Sequence, residues 1–371
     1  MIEFSLTVLI SFHSLLKSSF IYRNFAHITC KKMIDNNCLT KDVVVIGAGP
    51  AGSMCAYLLK KAGLECVLVD RAVFPREKVC GGGLTHKAYT LLAEMMPDLK
   101  YDYYPVRRFK LMIGSKMVSD FKPTEELRIV HRKDFDYALL QQYQRIGGEF
   151  VQDAFSSYEE QADGRILVTL KSGVQYLCRY LVGADGANSR VRQQAKGAYH
   201  GKVLFMEQYV EKEKDYIEGS ISNEYNSGYY YWFPGSAHDI VGYGDKQLTL
   251  TMFRNMMERF GIKETKIRGA YIPVEEVETG NDHIILIGDA GGFPNKLTYE
   301  GIYYALATGR NASIAIIEGK SFRETNRLIF KNKRKERMIA RLMYDTPWGI
   351  RIVRLCSVSS RLVRRIFDAG V

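Results

Sequence analysis

Short apolar, β-branched runs alternate with amphipathic stretches along much of the chain. Residues 42–46 and 66–69 form two such runs, which are typical of buried parallel strands. The stretch 51–61 between them has helical spacing, and Gly63 follows it where a helix end favours glycine. This order predicts a β–α–β unit near the start of the sequence.

Two further strand-to-helix transitions occur much later in the sequence. One run ends at Gly183 and predicts a helix that starts near Ser189. Another run, 284–287, leads through a glycine-rich loop to a predicted helix at Gly301. We expect these segments to join the sheet that begins at 42–46, although they are distant in sequence.

The remaining chain is rich in β-forming residues. The ranges 98–124 and 201–277 contain strand-like runs such as 109–113. Residues 165–170 and 174–177 are separated by a three-residue turn and predict a hairpin. A second, sheet-based unit is therefore expected.

Composition excludes several classes of protein. The 371 residues are 46% hydrophobic and 25% charged, which is ordinary globular usage and excludes a disordered or collagen-like chain. The seven cysteines are scattered without a CxxC pair, and no HExxH is present, so we expect no metal site. This cysteine pattern suits a reducing compartment, and we expect a cytoplasmic protein.

Positive charge is concentrated at the C-terminus. Residues 321–371 contain thirteen Lys or Arg and four Asp or Glu, which gives +9 of the total +11. Apolar residues recur there at helical spacing, and Pro347 with Gly349 predicts a break into two helices. Such helices can lie on the inner face of an anionic membrane, or they can cap the fold as a solvated pair. No helix-turn-helix or RNA-binding pattern accompanies the charge, so nucleic acid is not an expected partner.

The N-terminal apolar stretch, 4–16, is shorter than the roughly 20 residues that span a bilayer. Three interpretations stay open. It can be a disordered extension or precede a true start at Met33, it can lie near a membrane, or it can be a signal segment.

The first β–α–β unit carries a dinucleotide signature. Gly47, Gly49 and Gly52 have GxGxxG spacing, which allows a tight turn, a close approach to pyrophosphate, and helix–strand packing. The helix that opens near Ala51 directs its N–H groups toward the phosphates. Asp70 ends the second strand, where an acid can accept a ribose hydroxyl. The motif alone does not distinguish NAD from FAD.

The two later transitions favour FAD. Asp185 follows the strand that ends at Gly183, and Asp289 follows the run 284–287. An Asp at such a strand end can hold a ribityl hydroxyl, and the helix at Gly301 can face the flavin ring. The predicted fold is α/β: a Rossmann-like FAD-binding domain of discontinuous segments, a second mixed β-sheet substrate domain, and a helical C-terminus. The predicted boundaries are an extension over 1–40, the FAD-binding domain over 41–97, 125–200 and 278–320, the substrate domain over 98–124 and 201–277, and a basic helical region over 321–371.

The sequence resembles flavoproteins of the para-hydroxybenzoate-hydroxylase type and, more finely, the geranylgeranyl reductase family. The resemblance rests on four segments: FPREKVCGGGL (74–84), GADGANSRVR (183–192), YYWFPG (230–235) and GDAGGFPNKLTYEGIYYAL (288–306). It implies an FAD-dependent reductase. The resemblance also implies cofactor-binding roles for Gly47, Gly49, Ala51, Gly52, Asp70, Arg71, Arg76, Gly81, Gly82, Arg132, Asp185, Asp289, Gly301 and Ile302.

The resemblance implies a reactive residue at Cys80, beside the flavin. Arg76 and Lys78 precede this cysteine and can lower a thiol pKa if they point inward. The alternative is an inert thiol in a turn. Arg132, in HRKDFDYALL, matches a helix-start pattern of the family and is either an FAD ligand or a surface residue.

The aromatic run gives candidate substrate residues. The resemblance places the lipid pocket near Tyr230, Trp232 and Phe233, although alternating aromatics on a strand commonly form core. Two departures lie near the flavin, where family members usually read NPLTGEG. Lys296 replaces a proline and Tyr299 replaces a glycine, which can narrow the pocket or select a polar substrate.

The resemblance implies reduction of prenyl double bonds by hydride transfer from reduced flavin N5. A proton donor is also needed, and Cys80 is the first candidate and Tyr299 the second. An aromatic monooxygenase and an electron-transfer flavoprotein without small-molecule turnover are the alternatives. NAD(P)H or a ferredoxin-like protein is the expected electron donor.

Overall fold

The structure is a computed structural model that describes residues 38–114, 116–221, 229–274, 277–344, 346, 348–356 and 359–370. The predicted extension over 1–40 lies outside the described residues, apart from its last three positions. Those three positions belong to the first strand.

The described residues form strands and helices that we number in chain order. The strands are β1 (Cys38–Ile46), β2 (Cys66–Asp70), β3 (Gly83–Leu84), β4 (Tyr104–Val106), β5 (Phe109–Ile113), β6 (Lys116–Phe121), β7 (Leu127–Ile129), β8 (Glu149–Gln152), β9 (Phe155–Glu160), β10 (Ile166–Leu170), β11 (Gln175–Gly183), β12 (Lys202–Glu211), β13 (Ile217–Ile221), β14 (Tyr230–Phe233), β15 (His238–Asp245), β16 (Arg268–Pro273) and β17 (Ile284–Leu286). The α-helices are α1 (Pro50–Lys61), α2 (His86–Met95), α3 (Arg132–Arg145), α4 (Arg190–Lys196), α5 (Leu250–Arg259), α6 (Ile302–Glu318), α7 (Phe322–Thr325), α8 (Arg327–Tyr344), α9 (Gly349–Cys356) and α10 (Ser360–Gly370).

The first sheet has the order β8-β2-β1-β11-β10-β9, and β17 also pairs with β11. Strands β8, β2, β1, β11 and β17 are parallel, whereas β9 and β10 form an antiparallel extension. Side chains of β1 alternate between two cores, because successive residues of a strand face opposite sides. Val43 and Val45 pack under α1, α2, α3 and α6, and Val44 and Ile46 pack on the side of α4.

The second sheet has the order β16-β12-β15-β14-β13-β5-β6, and α5 covers one of its faces. A small third sheet has the order β3-β7-β4. Its strands fall in the sequence between strands of the two larger sheets. The second sheet draws its strands from the ranges predicted for the substrate domain, and the first sheet draws nearly all of its residues from the FAD-binding ranges. The predicted domain boundaries themselves stay a prediction.

The α/β fold class is confirmed, and several local predictions hold. Residues 109–113 are β5, and the predicted hairpin is the antiparallel pair β10–β11. Ser189 caps α4 by accepting a hydrogen bond from the backbone N–H of Arg192 at 2.9 Å.

The prediction of two C-terminal helices was wrong, because the described tail contains α8, α9 and α10 after the short α7. Glycine at position 349 begins α9, and a second interruption follows that helix. None of the helices in the described ranges combines the length and apolar character needed to cross a bilayer.

Candidate active site

Four parallel strands of the first sheet end at one edge. Ile46 of β1 is in register with Gly183 of β11, Gly183 is in register with Leu286 of β17, and Val69 of β2 lies beside Ile46. Asp70 is the last residue of β2, and the segments that follow β1, β11 and β17 contain the predicted residues Gly47, Asp185 and Asp289. Ligands of open α/β sheets bind at such a carboxyl edge, so the topology brings the three sequence-distant segments together.

Two glycines of GxGxxG are required by close backbone contacts. Gly47 has φ 106°, and a Cβ there would lie 2.3 Å from the carbonyl oxygen of Ala184. A Cβ on Gly52 would lie 1.8 Å from the carbonyl oxygen of Gly47. Gly49 caps α1 and leaves open backbone, because its nearest neighbour would be Nη2 of Arg76 at 3.6 Å. This arrangement matches a backbone that a phosphate group approaches closely.

Helices α1 and α6 begin beside this edge and pack closely together. A Cβ on Gly309 of α6 would lie 2.4 Å from the carbonyl oxygen of Ala51, so only glycine allows this approach. Gly301 caps α6, and its Cβ position would lie 3.7 Å from Oδ1 of Asp289. Ile302 is buried at the first position of α6. Two helix N-termini, which carry partial positive charge, therefore border the edge.

The acidic residues at this edge differ in what they bind. Asp70 accepts the N–H groups of Ala48 at 2.7 Å and Ala72 at 2.9 Å, and so it supports the glycine turn. Its neighbour Arg71 is exposed. Oδ2 of Asp185 accepts the N–H of Arg190 at 2.7 Å, whereas its buried Oδ1 has no hydrogen-bond partner within the described chain.

Burial raises the pKa of Asp185 despite its hydrogen bonds. An unpaired buried oxygen is costly unless a ligand satisfies it. The hydroxyl-rich ribose and ribityl parts of FAD suit such an acceptor, and the residues present fit this cofactor.

A buried ion-pair cluster adjoins the glycine turn. Arg132 binds Asp136 through Nε and Nη2, each at 2.8 Å, and Asp136 also lies 3.2 Å from Nη2 of Arg76. Burial is the largest single influence and acts to lower the pKa of Arg132, but the charges and hydrogen bonds of Asp136 and Cys80 together outweigh it, so the pKa is raised. The structure thus places Arg76 beside Gly49, where pyrophosphate is expected. Arg132 contacts the same carboxylate, that of Asp136, through two of its donors.

The predicted CGG element forms a tight loop against the second sheet. Gly82 has φ 74°, and a Cβ there would lie 2.1 Å from the carbonyl oxygen of Val130. Cβ positions on Gly81 and Gly83 would lie 3.2 and 3.3 Å from the ring of Phe233. Glycines at 81 and 83 therefore let this ring pack directly on the loop.

Cys80 is half-buried in this loop, and its Sγ accepts the N–H of Gly82 at 3.4 Å. The guanidinium of Arg132 also interacts with the thiol, whereas the sequence suggested Arg76 and Lys78 for this contact. Three other thiols, in the first sheet and α1, are buried, unlike that of Cys80. Burial raises the pKa of Cys55, and it raises those of Cys66 and Cys178 to about 12, which suits inert core residues.

Glu207 joins the second sheet to the Cys80 loop. This carboxylate, on β12, is 1% exposed and accepts the backbone N–H of Cys80 at 3.1 Å and the hydroxyl of Tyr231 at 3.0 Å. Nη2 of Arg268 lies 3.8 Å away. Burial raises the pKa of Glu207, while Tyr231 and Arg268 act in the opposite direction. A perturbed carboxylate in this position is typical of a functional site.

The sheet face toward the Cys80 loop is lined by aromatic rings. Phe205, Tyr229, Tyr231, Phe233 and Tyr299 pack together there. Two glycines of β15 leave the space in which two of these rings pack against the strand. A Cβ on Gly242 would lie 2.1 Å from the ring of Tyr231, and one on Gly244 would lie 2.2 Å from the ring of Phe205. The GxG of this region therefore has a packing reason.

The predicted substrate residues divide between the two faces of this sheet. Phe233 lies on the face toward Cys80. Tyr230 and Trp232 lie on the opposite face, in the core under α5, where Tyr230 stacks on Phe260 at 4.0 Å and Trp232 donates to Asp239 at 2.8 Å. Lining of a pocket by all three stays a prediction, and this placement favours Phe233.

The loop before α6 carries both departures from the family pattern. Tyr299 is 7% exposed with φ 57°, a backbone conformation that glycine adopts more readily, and its ring lies 4.8 Å from that of Phe205. Lys296 is also buried. The adjacent Glu300 accepts the hydroxyl of Thr85 at 2.6 Å and pairs with Lys87 at 2.9 Å. Burial raises the pKa of Glu300.

Sequence reasoning missed Asp136, Glu207, Tyr231, Arg268 and Glu300. The i, i+4 spacing of Arg132 and Asp136 on one predicted helix could have indicated their ion pair. A lone glutamate within the apolar strand VLFMEQYV could have indicated a buried carboxylate at position 207. No local signal connects Glu207 to Cys80.

Comparison with known proteins agrees with this geometry. A sequence model described as an FAD binding domain matches residues 40–211. A geranylgeranyl diphosphate reductase of Rhodobacter capsulatus is 31% identical over 311 residues, which cover 74% of each chain. A chloroplastic geranylgeranyl diphosphate reductase of Oryza sativa subsp. japonica is 29% identical, over 75% of this chain and 67% of the plant protein.

A solved structure shows the same fold. A geranylgeranyl bacteriochlorophyll reductase-like protein from Thermoplasma acidophilum superimposes with a TM-score of 0.73 at 19% identity, over 89% of this chain and 91% of that protein. The carboxyl-edge site, the FAD binding domain and the R. capsulatus relative together lead to one assignment. The chain belongs to the geranylgeranyl reductase family of FAD-dependent oxidoreductases.

Proposed function

We propose that this protein reduces carbon–carbon double bonds of a prenyl lipid of the geranylgeranyl type. The observation that carries the proposal is the position of Cys80. Its half-buried loop lies between the FAD-binding edge and an apolar, aromatic sheet face. The R. capsulatus and O. sativa relatives, both geranylgeranyl diphosphate reductases by name, support the same substrate class.

The carboxyl edge of the first sheet supplies the groups that would hold FAD. The open backbone at Gly49, the N-terminus of α1 and Arg76 suit the pyrophosphate, and Asp185 offers its unpaired oxygen to a hydroxyl. When bound, reduced FAD supplies the hydride for such a reduction.

The chain itself must provide the proton. Cys80 and Tyr299 are the candidate donors in this proposal. Gly81, next to Cys80, packs on Phe233, and the ring of Tyr299 lies 4.8 Å from that of Phe205 on the same aromatic face. Glu207 accepts hydrogen bonds from the backbone N–H of Cys80 and from the hydroxyl of Tyr231. Its carboxyl group is therefore a buried ionisable group in contact with the Cys80 loop. A well-placed general acid contributes roughly 10²–10⁴-fold to a rate.

The rings of the aromatic face suit an apolar chain. Phe205, Tyr229 and Phe233 offer ring surface without charged groups, and Tyr299 occupies the space that a glycine would leave open. We infer that Tyr299 limits the length or the bulk of the prenyl chain. The electron donor in this proposal is NAD(P)H or a ferredoxin-like protein of the cytoplasm.

The proposal is tested by reducing the FAD-loaded protein anaerobically and mixing it with a geranylgeranyl lipid. Flavin reoxidation and product mass are followed together. Reoxidation with a gain of two hydrogens per double bond is expected. A flavin that stays reduced until oxygen enters would contradict the proposal, and an oxygen-dependent hydroxylated product would identify a monooxygenase. Reoxidation only by a partner protein would identify an electron carrier.

A further inference from the structure

The C-terminal helices expose an unusual share of large apolar side chains. Among the described residues, fourteen large hydrophobic side chains are exposed, and seven of them lie beyond residue 320. The most exposed of these seven are Leu328 at 76%, Leu355 at 73%, Met338 at 68% and Trp348 at 59%. Exposed apolar residues scattered singly need no explanation, but such a concentration indicates an interaction surface.

Cations share the faces of these apolar residues. On α8, Arg334, Met338, Arg341 and Leu342 have i, i+4, i+7, i+8 spacing, which places them on one side of the helix, and all four are exposed. Exposed arginines also lie beside exposed leucines on the next two helices. Arg351, Arg354 and Leu355 are exposed on α9, and Arg361, Leu362 and Arg365 are exposed on α10.

The opposite side of α8 is anchored beside the candidate active site. Nζ of Lys333, a buried residue, donates to the carbonyl oxygen of Pro294 at 2.5 Å and pairs with Glu336 at 3.0 Å. Glu336 also accepts the hydroxyl of Tyr304 on α6. Pro294 begins the loop that ends at Gly301, so the inner side of α8 supports the loop that carries Tyr299.

The end of the tail is anchored to the second sheet. Phe367 of α10 packs on Phe109 at 4.4 Å and Phe121 at 5.4 Å. Asp368 accepts the N–H of Thr124 at 3.1 Å and its hydroxyl at 2.8 Å. The tail is therefore anchored at two points, α8 to the loop before α6 and α10 to the second sheet.

We propose that the exposed cations and apolar side chains of α8, α9 and α10 named above bind the surface of an anionic lipid bilayer. Arginines interleaved with exposed aliphatic side chains and a tryptophan match both the charged headgroups and the apolar layer beneath them. The contact would hold the loop 294–301 near the bilayer, because α8 touches the loop with its inner side. This inference concerns binding and does not depend on which substrate is reduced.

Sedimentation of the FAD-loaded full chain with vesicles tests the proposal. The vesicles contain phosphatidylglycerol or only phosphatidylcholine, and they lack any prenyl lipid, so turnover plays no part. We expect binding to the anionic vesicles at low salt, little binding to the neutral ones, and weakening as salt rises. Arg334→Glu with Arg341→Glu should reduce the affinity at least about tenfold, and Met338→Ser with Leu342→Ser should also reduce it.

The matched control is Lys61→Glu with Lys171→Glu, which makes the same change in net charge at exposed positions outside the tail. It should leave vesicle binding within about twofold of the unchanged protein. Retained FAD content and circular dichroism confirm that each variant is folded. A protein that stays in the supernatant with anionic vesicles overturns the proposal, as does binding that the tail variants do not alter. Salt-sensitive binding of an acidic ferredoxin without vesicle binding would also overturn it and assign the surface to a redox partner.

Discussion

The ring of Tyr299 lies 4.8 Å from the ring of Phe205, while the backbone of Tyr299 has φ 57°. A left-handed backbone costs a residue with a side chain roughly 1–2 kcal/mol, which the buried ring contacts must offset. The family pattern has glycine at this position, which adopts the conformation freely. Tyr299 therefore fills space on the aromatic face at a local conformational cost.

Tyr299→Gly should enlarge this space. We expect kcat/KM for the longest prenyl chain to rise about tenfold relative to that for a short one, because the space of the removed ring becomes available to the substrate chain. The free energy of unfolding should fall by about 2 kcal/mol, since the lost ring contacts exceed the relieved strain. Turnover across chain lengths and urea unfolding measure the two effects. Tyr299→Phe is the control and should keep the chain-length preference, and a Gly variant with the same preference would show that Tyr299 does not shape the pocket.

The glycine pattern and the hydrophobic periodicity predicted the FAD-binding half of the fold well. Gly47 and Gly52 are required by close contacts with backbone carbonyl oxygens, and their GxGxxG spacing is visible in sequence. The strand Phe109–Ile113 and the hairpin of β10 and β11 follow from local alternation and turn chemistry. These features could be predicted because they depend on residues close together in the chain.

Features set by long-range packing could not be predicted in this way. The faces taken by Tyr230 and Phe233 depend on which side of the second sheet meets the Cys80 loop, and no local pattern states it. Glu207 reaches Cys80 across 127 positions of sequence. The interaction of Arg132 with Cys80 likewise requires the third sheet to bring the loop onto α3.

Cys80→Ser should lower turnover with the prenyl lipid about 100-fold, because a hydroxyl is a weaker acid than a thiol at the proton-donating position. FAD content, measured by absorbance, should stay unchanged, since the Cys80 backbone and not its side chain bonds Glu207. Cys38→Ser at the start of β1 is the matched control and should retain full turnover. Undiminished activity of the Cys80 variant would transfer the role of proton donor to Tyr299.

Arg76→Met should weaken FAD binding by about 10- to 100-fold, which corresponds to the loss of one charge-assisted hydrogen bond. Asp136 keeps its two bonds from Arg132, so the fold should persist. Titration of the apoprotein with FAD, followed by flavin fluorescence, measures the change. Arg165→Met, at the exposed β10 hairpin, provides the matched control, and equal FAD affinity in the two variants would remove Arg76 from the pyrophosphate site.

Asp136→Ala should be far more damaging to stability than Arg76→Met. It leaves the buried Arg132 without its bidentate partner, and removal of one member of a buried ion pair costs about 3–5 kcal/mol. Urea unfolding of both variants measures the difference. A loss below about 1 kcal/mol for Asp136→Ala would mean that water or another group compensates Arg132.

Glu207→Gln should change how stability depends on pH. Burial raises the folded-state pKa of Glu207 above its ordinary value of 4.5, so the folded protein holds this proton more tightly than the unfolded chain does. The resulting stabilisation is complete below pH 4.5 and is lost as the pH rises through the folded pKa. Glutamine keeps an acceptor for the N–H of Cys80 but has no proton to release. The free energy of unfolding of the unchanged protein, minus that of the variant, should therefore fall as the pH rises from 4.5.

Urea unfolding at a series of pH values measures this difference directly, without substrate or turnover. Subtraction of the variant removes the contributions of Asp185 and Glu300, whose pKa values burial also raises. Glu159→Gln, at an exposed position of β9, reports the same substitution in solvent. If this difference does not change with pH for Glu207→Gln, burial does not raise the pKa of Glu207 in the folded protein. Its contact with Cys80 would then serve only to position the loop.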